Sequence, residues 1–177
     1  MHACGHDGHT AMLLAAARCL ARQPNFSGTL HLIFQPAEEG GGGARVMIED
    51  GLFERFPCDA VFAMHNVPGF PTGHLGFASG PLMCSADTVH ITLHGHGGHG
   101  AVPQSTVDPV VACAAIVMSL QTIVARNIDP QETAIVTVGA MQAGQAANVI
   151  PATATLTLSV RALTAVVRAR LEQRITE

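Results

Sequence analysis

Three short clusters carry the reactive side chains of this 177-residue chain: Cys4-Gly5-His6, Glu38-Glu39 and His65. A thiolate, imidazoles and carboxylates together form a donor set for Zn²⁺, Mn²⁺ or a related divalent ion. Two adjacent glutamates add a division of labour, because neighbours in an extended stretch point in different directions. One can hold an ion while the other faces a water. The ion lowers the pKa of that water from about 16 towards about 7 and a carboxylate takes its proton, which is the chemistry of metal-assisted hydrolysis. Each cluster also has a plainer reading: a lone cysteine as a small buried hydrophobe, a Glu-Glu pair as a solvated face, a lone histidine as a packing residue.

For these residues to meet, the chain must bring three loops together. Asp7 to Arg22 has helical spacing (Met12, Leu13, Ala16, Ala17, Leu20), with Asp7 as the expected cap. The apolar runs Thr29 to Phe34 and Ala60 to Met64 are expected to be strands buried on both faces of a parallel sheet. Between them Pro36 to Gly43 must be a loop, and Ala44 to Asp50 a helix stopped by Gly51. Strand, helix, strand implies a parallel α/β unit, whose carboxyl-edge loops share the ligand-binding rim.

From Pro81 the texture changes. Asp87 to His94 alternates, with Val89, Ile91 and Leu93 on one face and Thr88, His90, Thr92 and His94 on the other. A Gly/His-rich loop over 95–100, a long apolar helix over 108–126, strands over 133–141 and 152–161, and a helix over 163–175 follow. The order β-α-β-β-α is that of a ferredoxin-like split unit without its last strand. The fold class expected is therefore α/β, with one part of a parallel α/β unit over 1–82 and an incomplete ferredoxin-like unit over 83–177. No strand precedes the ligand-rich start and no cap signal closes the last helix, so the chain reads as a fragment of a longer protein.

Composition narrows the function. Charged residues are 12 % of the chain, all nine cations are Arg, net charge is −4 and mean hydropathy is +0.32. This excludes a basic patch working on nucleic acid, and disorder. No stretch is read as reaching the ~18 apolar residues of a membrane span. Five cysteines without an export signal read as free thiols in a reducing, cytoplasmic compartment, and Cys19, Cys58, Cys84 and Cys113 as buried hydrophobes. Ten histidines, more than the arginines, keep the metal question open.

Met1-His-Ala-Cys-Gly-His-Asp-Gly-His9, Phe34-Gln-Pro-Ala-Glu-Glu-Gly40, His65-Asn-Val-Pro-Gly69 and Gly97-Gly-His-Gly-Ala-Val-Pro103 resemble the peptidase M20 family along essentially the whole chain. The likeness is greatest to its amidohydrolase branch: hippurate hydrolases, N-acyl-amino-acid amidohydrolases and auxin-conjugate hydrolases. The resemblance implies a two-metal catalytic domain with an inserted lid that often dimerises, giving a homodimer. It implies that 1–82 is a partial catalytic domain and 83–177 a truncated lid. It implies Cys4, His6, Glu39 and His65 as metal ligands, Glu38 as general base and His99 as the lid histidine supporting the oxyanion. Asn148 and Arg161 match substrate contacts, Arg161 by a bidentate grip on the carboxylate of an N-acyl amino acid. The ions implied are two Zn²⁺ or Mn²⁺, with Co²⁺ or Ni²⁺ also accommodated by such ligands. Gln104 stands where the family more usually has histidine. The family's upstream Asp-containing segment and its last histidine ligand have no counterpart in the chain, so partial metal loading is expected of it. The alternative reading is a non-catalytic remnant, acting at most as a metal-binding or dimerisation module.

Overall fold

The computed structural model describes residues 3–177. The chain divides into two compact units, Met1–His74 and Leu75–Glu177. The first holds three helices: α1 (His6–Arg22), α2 (Gly43–Glu49) and α3 (Leu52–Arg55). α1 begins one residue before the expected start. Gly5, in the left-handed region at φ 73°, is its cap, and Asp7 lies inside the first turn instead of capping it. The Asp7 charge there still complements the positive end of the helix.

The two expected parallel strands do not form. Residues 29–34 and 60–64 form no regular element, and no parallel ladder occurs among the described residues. A strand exists only through its neighbour's hydrogen bonds, and no described segment supplies them. The apolar side chains chosen for burial are exposed instead: Leu30, Leu32, Phe34, Val61 and Met64 in part, and Phe62 at 93 %.

The second unit follows the sequence closely. It runs β1 (Asp87–His94), β2 (Gly98–His99), a 3₁₀ turn (Pro103–Ser105), α4 (Pro109–Asn127), β3 (Ala134–Ala143), β4 (Val149–Ile150), β5 (Thr153–Ala162) and α5 (Ala165–Thr176). The main sheet is antiparallel in the order β1-β5-β3, and the two short strands β2 and β4 pair separately. The long strands and helices thus make the expected β-α-β-β-α unit, with β5 between the other two. The outer edge of β1 pairs with no described strand.

Alternation explains the layering. Ala154, Leu156, Leu158, Val160 and Ala162 of β5 are buried, as are Cys113, Leu120 and Ile123 of α4 and Val167 and Leu171 of α5. Val89, Ile91 and Leu93 of β1 pack on this core. The opposite face carries Thr153, Thr155, Thr157, Ser159 and Arg161, as a two-residue period requires. Both helices begin on side-chain caps: Asp108 accepts from the Val110 N–H and Thr164 from the Val167 N–H.

Two composition readings change. α4 is long and apolar enough, by length and composition, to cross a bilayer, contrary to the expectation that no stretch is. One face of it, Cys113, Leu120 and Ile123, forms the core with the sheet, while Val111 and Met118 on the helix are exposed. Among the cysteines, only Cys113 is buried, and burial pushes its thiol pKa up. Cys84 is half-buried, and Cys19 and Cys58 are exposed. All five are free thiols.

The start of α5 is tied to β1 by a fork. Arg168 Nε donates to Asp87 Oδ2 at 2.8 Å, and Nη2 to Oδ1 at 2.6 Å. The Arg168 hydrogen bond, more than its charge, holds the Asp87 carboxyl below its ordinary value against an opposing desolvation effect. A depressed carboxyl pKa stabilises the fold above the unfolded value, about 3.9, and that contribution disappears as pH falls through the lower folded value. The melting-temperature gap between wild type and Asp87→Asn should therefore be open at neutral pH and close in strong acid. A gap that does not change with pH would sink this assignment.

Candidate metal centre

The amino end of α1 organises the first unit's chemistry. Gly5 turns the chain into the helix, and its carbonyl accepts from the Gly8 and His9 N–H groups at 3.0 and 3.3 Å. A Cβ at position 5 would be strained by the positive φ. It would also lie 2.7 Å from Asn66 Nδ2, so the Asn66 side chain would have to move, and the positive φ favours glycine. Cys4 precedes this turn. His6 and His9, three residues apart, lie on the same helix face, with ring centroids 5.2 Å apart.

The glutamates come from a tight loop. Ala37 has a positive φ of 49°, a strained conformation for a residue with a Cβ. The loop folds back so closely that a Cβ on Gly43 would fall 1.8 Å from the Pro36 carbonyl oxygen. Glu38 and Glu39 occupy a turn, not the extended stretch expected, and both carboxylates reach one imidazole. Glu38 Oε2 is 3.5 Å from His6 Nε2, and Glu39 Oε1 is 4.0 Å from His6 Nδ1. Turn geometry lets adjacent side chains converge where an extended chain would splay them.

His65 closes the group. Its Nδ1 lies 2.7 Å from the Asn66 carbonyl oxygen, which can only accept, so Nδ1 carries the proton. That leaves the Nε2 lone pair facing Cys4 Sγ at 3.5 Å. Fixing a ligand histidine's tautomer through its other nitrogen is how metal sites orient imidazoles.

The donors form two overlapping groups, Cys4–His6–His65 and His6–Glu38–Glu39, each with its ligand atoms within 4.8 Å of one another. Two donors on one tetrahedral Zn²⁺, at bonds of about 2.0–2.3 Å, stand about 3.3–3.8 Å apart. The Cys4–His65 separation, 3.5 Å, falls in that window, and His6 Nδ1 and Glu39 Oε1 stand at 4.0 Å, just beyond it; Glu38, the residue expected as base, comes 3.5 Å from the opposite nitrogen of His6. The donor set therefore suits divalent ions in its chemistry, and the Cys4–His65 pair does so in spacing as well. All five metal-site residues expected from the sequence come together. His9 and Asn66 were missed; the three-residue interval from His6 on a recognisable helix was the available signal for His9.

The remaining expected residues lie in the second unit. His99 of β2 pairs with Val149 of β4. The Asn148 carbonyl beside it accepts from Gly100 N–H at 2.8 Å. His99 Nδ1 accepts from the Ala101 N–H at 3.1 Å, so its Nε2 carries the proton and can donate. Arg161 is not with them. It stands exposed on the polar face of β5 opposite Ile135, in the other sheet.

A β-α-β-β-α unit in one chain with a thiol, imidazole and carboxylate cluster at a helix start defines an α/β protein of the M20 peptidase type. The chain belongs to peptidase family M20/M25/M40, whose match spans residues 1–169. It is similar to the hippurate hydrolase of Campylobacter jejuni, 51 % identical over 175 residues, covering 99 % of this chain and 45 % of that protein. It is also similar to the IAA-amino acid hydrolase ILR1-like 2 of Arabidopsis thaliana, 43 % identical over 178 residues, covering 100 % of this chain and 40 % of that protein. Among solved structures it matches a dinuclear metal-binding M20 peptidase of Bacillus subtilis. That match has a TM-score of 0.71 and 36 % identity, over 99 % of this chain and 43 % of that one. The chain thus spans less than half the length of these relatives.

Proposed function

We propose that this chain supplies the metal-binding and lid portions of a hydrolase that cuts the amide bond of N-acyl amino acids. The observation that carries the reading is the convergence of Cys4, His6, Glu38, Glu39 and His65 on one helix start. In this reading residues 1–82 are the catalytic part and 83–177 the lid, the protein is cytoplasmic, and the lid pairs two copies into a homodimer. Cys4, His6, Glu39 and His65 hold two divalent ions. The thiolate favours Zn²⁺, and the imidazoles and carboxylate also suit Mn²⁺, Co²⁺ or Ni²⁺. Such ions supply Lewis acidity to the amide carbonyl and lower the pKa of a water.

The chain's own residues do the rest. Glu38 takes the water's proton and returns it to the leaving amine. His99 Nε2–H donates to the oxygen that gains charge on the attacked carbonyl. Asn148 contacts the substrate, and Arg161 grips its free carboxylate through two parallel N–H bonds. The relatives named for hippurate and for IAA-amino acid conjugates support this substrate class, since both names denote amino acids acylated on nitrogen.

The test is a panel of N-acyl amino acids against the metal-loaded protein, with bound metal measured in parallel. Amide cleavage dependent on added divalent ion is expected; its absence across the panel, with two ions bound, would overturn the reading. His99→Ala should lower kcat by about 10²–10³-fold, the usual cost of one lost oxyanion donor, with little change in bound metal.

A further inference from the structure

His9 is a third imidazole in the cluster that the proposed chemistry leaves unused. Its Nε2 accepts from the Asn66 backbone N–H at 3.1 Å, and the end of the Asn66 carboxamide lies 2.5 Å away, where an accepting nitrogen requires the amide to turn its NH2 group, not its oxygen, towards the ring. Its ring meets His65 edge-on, with centroids 4.5 Å apart and planes at 66°. Asn66 is therefore gripped twice: its N–H by His9, and its carbonyl by His65 Nδ1–H at 2.7 Å. The Asn66 carboxamide is also wedged against Gly5. The lone pair on His9 Nε2 is already committed to that backbone N–H, so this nitrogen is not free for an ion.

We propose that His9 is a positioning residue: by clamping the Asn66 backbone one helical turn beyond His6, it fixes the tautomer and aim of His65 towards Cys4. The proposal rests on the reading above that Cys4 and His65 bind metal. The work is done across 57 residues of sequence, between α1 and the segment that carries His65. Without the clamp, Asn66 is free to move, its carbonyl no longer presents a fixed acceptor to Nδ1, and the imidazole can rotate or exchange tautomers. Conserving the geometry requires an acceptor atom at the reach of His9 Nε2. A shorter polar side chain cannot supply it from the same helix position.

The experiment compares wild type, His9→Ala, His9→Asn, His9→Gln and His65→Ala in the full chain, using Co²⁺ and Zn²⁺ as probes. Affinity is read by competition with a chelating indicator, and the Cys4 environment by the thiolate-to-Co²⁺ charge-transfer absorption. His9→Ala and His9→Asn should each weaken binding by about 10–100-fold, the usual effect of losing a residue that orients a metal-bound histidine, and should alter the absorption. His9→Gln, whose Oε1 can accept from Asn66 N–H, should recover most of both. His9→Asn and His9→Gln carry the comparison where the alanine variant does not fold. If His65→Ala loses the metal while His9→Ala binds like wild type, or if Gln falls as far as Asn, the positioning role is overturned and the metal assignment stands. If His65→Ala binds Co²⁺ like wild type, the metal assignment fails and this proposal with it.

Discussion

Glu38→Gln should lower kcat by about 10²–10⁴-fold, the range that general acid–base catalysis contributes, equivalent to about 2.7–5.4 kcal/mol of barrier. Bound metal and KM should change little. Glutamine is nearly isosteric and keeps a carbonyl oxygen, but it cannot take the proton. The informative partner is Glu39→Gln, because the two carboxylates address opposite nitrogens of the same His6 ring. Glu39→Gln should lose metal first and activity as a consequence. Activity assays with metal analysis of both variants separate the roles. If Glu38→Gln keeps its rate, it is not the base; if it loses metal while Glu39→Gln retains it, the two roles are exchanged.

The second large effect is on stability. Leu158 is fully buried at the middle of β5, between β1 and β3 and beneath α4 and α5. Leu158→Ala removes buried hydrocarbon and leaves a void, which costs about 2–5 kcal/mol. Domains are commonly stable by only 5–15 kcal/mol, so this is a large share. Thr137→Ala, exposed on the other face of the same sheet, should cost less than about 1 kcal/mol. Urea unfolding read at equilibrium checks both. Equal costs for the two changes would mean that the core is not on the helix side of the sheet.

How much of this was legible depended on whether the signal was local. The alternation of Asp87 to His94 located β1 to the residue, because one face of that strand packs and the other meets solvent within the same unit. The helix over 108–126 shifted by a single position, to Pro109–Asn127, since Asp108 serves as the cap and not as the first helical residue. Residues 29–34 and 60–64 could not be read this way. Their apolar runs describe what they would tolerate as neighbours, and pairing is a property of two segments. Cys19 and Cys58 were misplaced by average burial preferences, which ignore the face a residue occupies. The grouping of Cys4, His6, Glu38, Glu39 and His65 was legible through their donor types; the turn that brings both glutamates to His6 was not, because it follows the left-handed backbone at Ala37.

Every buried hydrophobic residue described belongs to the second unit, and the helix that carries His6 and His9 has none. Among the described residues, the side-chain hydrogen bonds and ion pairs that join distant segments of the first unit all run through the reactive group: thiol to imidazole, imidazole to carboxylate, His9 to Asn66. Chemistry and cohesion reside there in the same handful of atoms. A substitution that retunes that centre therefore also alters polar links between distant segments, whereas the sheet-and-helix unit holds its core on Leu156, Leu158 and Leu171, which carry no reactive group.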